Sequence, residues 1–330
     1  MSGRPGLPVA LSCGEPAGIG AEIAVKARVA LGAALPFFWI GNARHLPPGT
    51  IYQEIATPAE ATRVSADRLP VLPHPFPAPA LPGRPAPENA AAVISVIERA
   101  VQLVQRGEAS AICTLPISKE ALKRGAGFAF PGHTEYLAHL AGGGHRPVMM
   151  LASDTLRTVP VTIHIPLADV ATRLTAELLE ETLRITHAGL ARDFGLSQPR
   201  LAVAGLNPHA GEGGTMGREE LDLILPVLDR LRAEGFQIAG PLPADTMFHA
   251  EARARYDAAI CMYHDQALIP LKTLAFADGV NVTLGLPFVR TSPDHGTAFD
   301  IAGQGRADPS SLIAALRLAA RMAENRKTHP

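Results

Sequence analysis

The stretch PVALSCGEPAGIGAEI, residues 8–23, has the pattern of a strand, a glycine-rich turn and the beginning of a helix. Its apolar run at 8–13 has the length of a buried strand, and the glycines permit a sharp turn into a helix that begins near residues 21–23. A strand that leads through a turn into a helix is the usual opening of an α/β domain. We therefore expect an α/β fold.

The rest of the chain continues this alternation. Predicted strands cover 37–40, 110–115, 201–206, 258–262 and 280–284, and predicted helices cover 89–105, 219–234 and 309–325. The proline-rich stretch 47–87 predicts a surface connection with short edge strands. Because 330 residues exceed what one hydrophobic core usually serves, we expect two α/β/α domains with a ligand-binding cleft between them.

Composition limits the classes of function. Hydrophobic residues make up 47% of the chain and charged residues 18%, which is typical of a folded globular protein. A net charge of -1 argues against nucleic acid or acidic membranes as partners. The start of the sequence lacks the pattern of a secretory leader, and no apolar run is long enough to cross a bilayer. The cysteines Cys13, Cys113 and Cys261 lack the spacing of disulfides or of thiolate zinc sites. We expect a cytoplasmic protein.

Three histidines follow apolar runs and are therefore expected at the ends of buried strands. They are His164 in VTIHIPL, His209 in LNPHAGEGG and His264 in MYHDQ. Strand ends are where α/β proteins place ligand-binding groups, and three protein ligands with one open position define a catalytic metal site. Taken singly, each could instead be a hydrogen-bonded histidine without a metal.

Two segments are candidates for binding an anion. The stretch FPGHTE, residues 130–135, places His133 and Thr134 beside a helix start, where backbone donors can hold phosphate or carboxylate. The alternative is that Thr134 only caps the helix. The loop 207–214, followed by a helix start at 217–220, offers similar donors.

Several candidate ligand-binding residues lie between short apolar segments over positions 256–303. Lys272 and Arg290 lie next to apolar segments, where a charge is costly unless it is paired, and an anionic ligand would be such a partner. Ordinary salt bridges to Asp265 or Asp294 are the alternative.

These segments together resemble the 4-hydroxythreonine-4-phosphate dehydrogenase family of pyridoxal 5'-phosphate biosynthesis. The resemblance spans nearly the whole chain and rests on GEPAGIGAEI, TLPISKEAL, FPGHTEYLA, HIPL, LNPHAGEGGTMGREE, GPLPADTMF, YHDQALIPLK and NVTLGLPFVRTSPDHGTAFDIAG. It implies a fold like that of isocitrate and isopropylmalate dehydrogenases, which bind NAD without a classical Rossmann fingerprint. GEPAGIG is therefore not expected to bind the pyrophosphate.

The resemblance also assigns roles to individual residues. It implies a divalent metal, Zn, Mg or Co, held by His164, His209 and His264 across a homodimer interface. It implies substrate binding by His133, Thr134, Lys272, Asn281 and Arg290. It implies binding of NAD, with NADP as the alternative, by His295, Gly296, Thr297, Ala298 and Asp300. The candidates for the catalytic base are Lys272, Asp265 and Asp245, and we expect burial near a cation to lower the pKa of Lys272.

The implied domains are a cofactor-side domain of residues 1–130 and 290–330, and a substrate, metal and dimerisation domain of residues 131–289. The implied reaction oxidises 4-phosphooxy-L-threonine to a β-keto acid that decarboxylates to 3-amino-2-oxopropyl phosphate. Departures from the family pattern at Glu15, Leu115, Ser118 and Ala267 leave a threonate or erythronate phosphate as an alternative substrate. Two alternative functions from other classes are a non-catalytic binding protein for phosphorylated metabolites and a metal-dependent hydrolase.

Overall fold

The structure, a computed structural model, describes residues 6–328. Within these residues the strands are β1 Val9–Ser12, β2 Phe37–Gly41, β3 Tyr52–Glu54, β4 Leu69–Pro73, β5 Ile112–Thr114, β6 Val148–Ala152, β7 Arg157–Pro160, β8 Arg200–Ala204, β9 Gln237–Leu242, β10 Ala258–Cys261, β11 Val280–Leu284 and β12 Arg290–Pro293. The α-helices are α1 Gly20–Leu31, α2 Ala90–Gln105, α3 Lys119–Ala126, α4 His133–Ala141, α5 Val170–Arg173, α6 Ala176–Phe194, α7 Leu225–Ala233, α8 Ala250–Arg253, α9 His264–Leu274 and α10 Ser310–Thr328.

The chain divides into two compact units. The first unit contains the chain up to Pro147 and the segment Leu286–Glu324. The second unit contains Val148–Gly285 and the residues from Asn325 onward. Each unit combines strands with helices, which confirms the predicted α/β class.

The first unit contains a wholly parallel sheet in the order β3-β4-β2-β1-β5-β12. Every residue of β1, β2 and β5 is buried, as expected of parallel strands that are covered on both faces. Helix α2 presents an apolar stripe, with Val93, Ile97, Ala100 and Val101 buried at helical spacing. This unit therefore has its own hydrophobic core.

The second unit contains a mixed sheet in the order β11-β6-β7-β10-β8-β9. Strand β6 is antiparallel to both of its neighbours, whereas β7, β10, β8 and β9 run parallel to one another. Strands β7, β10 and β8 are adjacent, and each is followed within a few residues by one of the three predicted metal histidines. Because carboxyl ends of parallel strands meet at one edge, the three histidine segments leave the sheet at the same edge.

The predicted strands and helices are all present, with small shifts at their ends. The predicted helix 219–234 begins as a π-helical turn, Glu220–Ile224, before it continues as α7. The proline-rich stretch contributes the edge strand β3, but β4 lies inside the sheet and is not an edge strand. Several elements were not predicted from the sequence, most prominently α6, α9 and β12.

Within residues 6–328, no helix combines the length and the apolar character that crossing a membrane would require.

Gly125 lies where α3 packs closely against the rest of the first unit, and substituting it tests this packing. A Cβ at this position would lie 1.9 Å from the backbone oxygen of Pro87 and 2.7 Å from the Ala90 Cβ. We expect Gly125→Ala to lower the free energy of unfolding by about 1–3 kcal/mol through overpacking, although helix propensity alone favours alanine by about 1 kcal/mol. Chemical denaturation measures this, with Glu120→Ala on the exposed side of α3 as the control. A variant as stable as the wild type would contradict the close packing.

Candidate functional site

Arg290 occupies a buried position in the first unit. It begins β12, beside Ile112 of β5, and only 4% of its surface is exposed. Its guanidinium extends towards the carboxyl end of β5, where Nε and Nη2 donate to the Thr114 Oγ1 at 3.3 and 2.7 Å. Burial lowers the pKa of Arg290 to about 10, which leaves it charged at neutral pH. A buried arginine at a strand end suits recognition of an anion.

His133 lies at the start of α4, close enough to Arg290 to interact electrostatically. Its Nε2 is buried and has no hydrogen-bond partner among the described residues. Burial, together with the positive charges of Arg290 and Lys119, lowers the pKa of His133 to about 3. The imidazole is therefore neutral at pH 7, and its unpaired Nε2 indicates a missing ligand.

Lys119 is a member of this cluster that the sequence analysis did not single out. Its Nζ lies 3.7 Å from the position of a Cβ on Gly132, the residue immediately before α4, and the Glu135 Oε2 lies 3.5 Å from the same point. The signal was available, because Lys119 ends the stretch TLPISK, which begins at Thr114, the last residue of β5. Three of the five predicted substrate residues, His133, Thr134 and Arg290, thus fall in the first unit together with Lys119.

The predicted cofactor loop, residues 295–303, follows β12 in the same unit. The Thr297 oxygen accepts a hydrogen bond from the Ile19 N–H at 3.1 Å, so the GEPAGIG turn packs against this loop. Ala298 has a left-handed backbone (φ 46°), an uncommon conformation for a residue with a side chain. The His295 Nδ1 lies 2.9 Å from the Gly296 oxygen, while its Nε2 is buried without a partner among the described residues. Gly296 and Asp300 are exposed.

His164 and His264 come together in the second unit, with ring centroids 5.6 Å apart. Backbone pairing continues past the strands that precede them, since the Val161 N–H donates to Cys261 O at 2.8 Å. The Asp265 carboxylate lies 2.8 Å from Nδ1 of His264. This contact favours the tautomer that keeps Nε2 available to a metal, as carboxylates commonly do beside ligating histidines. His164 has a left-handed backbone (φ 53°).

His209 lies in the irregular loop Pro208–Gly214, which follows β8. Residues 209–213 all have positive φ, a rare run for a segment that includes His, Ala and Glu. Carboxylates hold the start of this loop, because Glu220 accepts the Asn207 N–H at 2.7 Å and Glu219 accepts from the Asn207 side chain. Two carboxylates disfavour the anion site considered for this loop, and strained backbone of this kind is concentrated at functional sites.

Within the part of the chain that the structure describes, no three His, Cys, Asp or Glu side chains are gathered so that they could hold a metal ion. A single subunit therefore brings together His164 and His264 but does not complete a three-histidine site. Imidazoles are nevertheless donors that suit a divalent transition metal, and His164 and His264 supply two of the three that a catalytic site needs.

The remaining predicted residues also lie in the second unit. Lys272 is half-buried on α9, seven residues after Asp265 and so on the same helix face, and its Nζ lies 6.0 Å from the Phe276 ring centroid. Asn281 is a half-buried residue of β11, and Asp245 is exposed in the short 3-10 turn Ala244–Thr246. Of the three base candidates, Asp265 is thus engaged with His264.

Comparisons with a family model, with curated relatives and with solved structures all point to the same family. The family model described as "Pyridoxal phosphate biosynthetic protein PdxA" matches residues 36–319. A 4-hydroxythreonine-4-phosphate dehydrogenase of Paracoccus denitrificans is 65% identical over 97% of this chain and 98% of its own length, and that of Roseobacter denitrificans is 62% identical over 96% and 97%. The crystal structure of the Klebsiella pneumoniae enzyme of that name superposes with a TM-score of 0.89 at 40% identity, covering 98% of this chain and 99% of its own.

The low pKa of His133 predicts a pH-dependent stability. Below about pH 6.5 an unfolded histidine binds a proton, whereas folded His133 does not until about pH 3, so stability falls as the pH falls through this window. Relative to His133→Asn, the wild type is expected to lose up to about 1.4 kcal/mol per pH unit between pH 6.5 and 5. Urea denaturation at pH 7.5 and pH 5 measures the free energy of unfolding of both proteins. If the wild type and His133→Asn differ in this free energy by the same amount at both pH values, the prediction is wrong.

Proposed function

Since the chain belongs to the family of the pyridoxal phosphate biosynthetic protein PdxA, we propose that it is the dehydrogenase that acts on 4-phosphooxy-L-threonine. Oxidation of the secondary hydroxyl gives a β-keto acid, and loss of carbon dioxide from this acid leaves 3-amino-2-oxopropyl phosphate. The relatives' names favour this substrate over the threonate and erythronate phosphates.

The observation that carries the proposal is the placement of His164, His264 and His209 beyond three adjacent parallel strands. These residues would hold a divalent ion, zinc, magnesium or cobalt. When bound, such an ion supplies positive charge that acidifies a ligated hydroxyl and stabilises negative charge on the product oxygen. The Asp265 carboxylate fixes the ring of His264 and is therefore proposed as a positioning residue.

The substrate phosphate is proposed to bind in the first unit, at Arg290, His133 and Thr134. Arg290 supplies a planar pair of donors, and Lys119 adds a second positive charge. Neutral His133 can donate its buried Nε2–H to a phosphate oxygen, which would satisfy the unpaired atom. The phosphate thereby orients the reacting carbon, so its binding energy contributes to turnover.

Lys272 is proposed to take the proton from the substrate hydroxyl, because it shares a helix face with Asp265 while Asp265 itself is bound to His264. Asp245, exposed on its turn, is the second candidate. Asn281 is proposed to hydrogen-bond the substrate.

NAD is the proposed hydride acceptor, with NADP as the alternative. Its binding site would be the loop that contains His295, Gly296, Thr297, Ala298 and Asp300. The buried, unpartnered His295 Nε2 and the left-handed Ala298 both support a ligand at this loop.

A homodimer is proposed because, among the described residues of one subunit, only His164 and His264 of the three histidines come together. Large apolar side chains are exposed in the same segments that carry the histidines. Leu167 is 71% exposed, Ile269 64% and Phe276 83%, and Met216, Leu221 and Leu274 are also exposed. A second copy of the chain would cover these side chains and supply the missing ligand, as a two-fold interface does for paired sites.

Arg290→Ala is expected to weaken the preference for a phosphorylated substrate. The loss in kcat/KM should be on the order of 2–5 kcal/mol, because phosphate would face a site without its buried charge. Arg290→Lys should recover part of it, since a point charge lacks the planar fork. The measurement compares phosphorylated and unphosphorylated 4-hydroxythreonine, with surface Arg124→Ala as the matched control. An unchanged preference in Arg290→Ala would exclude Arg290 as the phosphate ligand.

Mixed dimers test whether the metal ligands come from two subunits. His209→Ala and His264→Ala are each expected to lose metal and nearly all turnover. Mixing the two should restore part of the activity, because one site in each mixed dimer then retains every ligand.

The pair His164→Ala and His264→Ala is the matched control. Since their rings are neighbours in one subunit, their mixture is expected to stay inactive. Metal analysis of each preparation accompanies the assay. Failure of the His209 and His264 mixture to recover both metal and activity would contradict a shared site.

A further inference from the structure

A cavity of about 390 Å³ lies in the first unit, bordered by β4 and helix α2. None of the residues that line it belongs to the candidate substrate, metal or cofactor sets. Its volume falls within the range of small-molecule sites. Part of the lining is apolar and consists of the buried residues Pro58, Leu72 and Leu103. These side chains can contact a carbon skeleton.

The lining of the cavity also presents positive charge. Arg99 is half-buried, and its one hydrogen bond within residues 6–328 runs from Nη1 to the Pro73 oxygen at 2.7 Å. It forms no ion pair with the described carboxylates. Burial lowers the pKa of Arg99, so an added negative charge would be favourable there. Arg106 adds a second guanidinium at the exposed rim.

His74 lies beside Arg99 and lines the same cavity. Its ring is half-buried, stands edge-on to Phe76 at 5.9 Å, and has no hydrogen bond through either nitrogen among the described residues. Burial and the charge of Arg99 lower the pKa of His74. A neutral imidazole of this kind can donate one hydrogen bond to an oxyanion.

Two carboxylates also line the cavity. Glu98 is engaged, because its Oε1 accepts the Tyr136 hydroxyl at 2.7 Å, and burial together with Glu98 keeps the pKa of Tyr136 high enough for the phenol to stay protonated. Glu108 is exposed at the rim. Both carboxylates keep their negative charge, but Glu98 is directed towards Tyr136 and neither forms an ion pair with Arg99, so Arg99 is the cation to which an anion can bind.

We propose that this cavity binds a small organic dianion, either a dicarboxylate or a phosphate monoester, with its charged group on Arg99 and His74. Its carbon atoms would lie against Leu72 and Leu103. The shared chemistry of both ligand types is a compact, doubly charged oxyanion joined to a short apolar skeleton.

Calorimetric titration with malonate and with methyl phosphate tests the site without depending on turnover. Saturable binding is expected for at least one of them. Arg99→Gln should weaken it about tenfold or more, because a charge-assisted hydrogen bond is lost. Because either probe can also bind at Arg290, each titration is repeated in Arg290→Gln, and the binding assigned to the cavity is the part that remains in Arg290→Gln and is weakened by Arg99→Gln.

Two further variants test the same site in case Arg99→Gln does not fold. Arg106→Gln, at the exposed rim, should weaken binding by a smaller factor. Tyr136→Phe should also weaken it, because it leaves the Glu98 carboxylate without its donor and facing the anion. Absence of saturable binding up to about 10 mM of either probe would overturn the proposal. Binding that is lost in Arg290→Gln but kept in Arg99→Gln would overturn it as well, because the anion would then occupy the substrate phosphate site.

Discussion

The direction of neighbouring strands is the constraint on which the candidate site depends. Parallel strands bring their carboxyl ends to one edge of a sheet, and β7, β10 and β8 are parallel and adjacent. The residues that follow them therefore leave the sheet side by side, although they lie far apart in the sequence. His164 and His264 become neighbours in this way. The Gln266 side chain reinforces the arrangement, since it accepts the Met262 N–H and donates to Gly205, the residue that follows β8.

The first unit brings the positive charges of Arg290 and Lys119 close to the start of α4, where we propose that the substrate phosphate binds. Arg290 is held by Thr114, and both lie on paired strands, so the guanidinium is fixed before any ligand arrives. His133 stays neutral because burial, together with the positive charges of Arg290 and Lys119, opposes its protonation. It can therefore donate a hydrogen bond without adding a third charge. Preorganised donors of this kind lower the cost of ordering the site on binding.

Much of the fold was predictable from local patterns, whereas the site depends on contacts that these patterns do not encode. Strand β11, Val280–Leu284, was predicted because a short apolar run with β-branched residues has few alternatives. Helix α6, Ala176–Phe194, was missed although its cap Thr175 and its buried Leu179 and Leu183 were signals, because polar residues fill its other faces. The contact between Thr114 and Arg290 joins positions 176 residues apart. The left-handed run at 209–213 opposes the local preferences of its residues, so tertiary structure must impose it.

The most direct test of the account is the reduction of NAD by the purified protein with 4-phosphooxy-L-threonine, before and after complete metal removal. We expect absorbance of the reduced nicotinamide to rise with the untreated protein, to disappear after chelation and to return when zinc, cobalt or magnesium is added back. Full activity in the metal-free protein would contradict the role given to His164, His209 and His264. Loss of activity that no divalent ion restores, in protein that remains folded, would contradict it too.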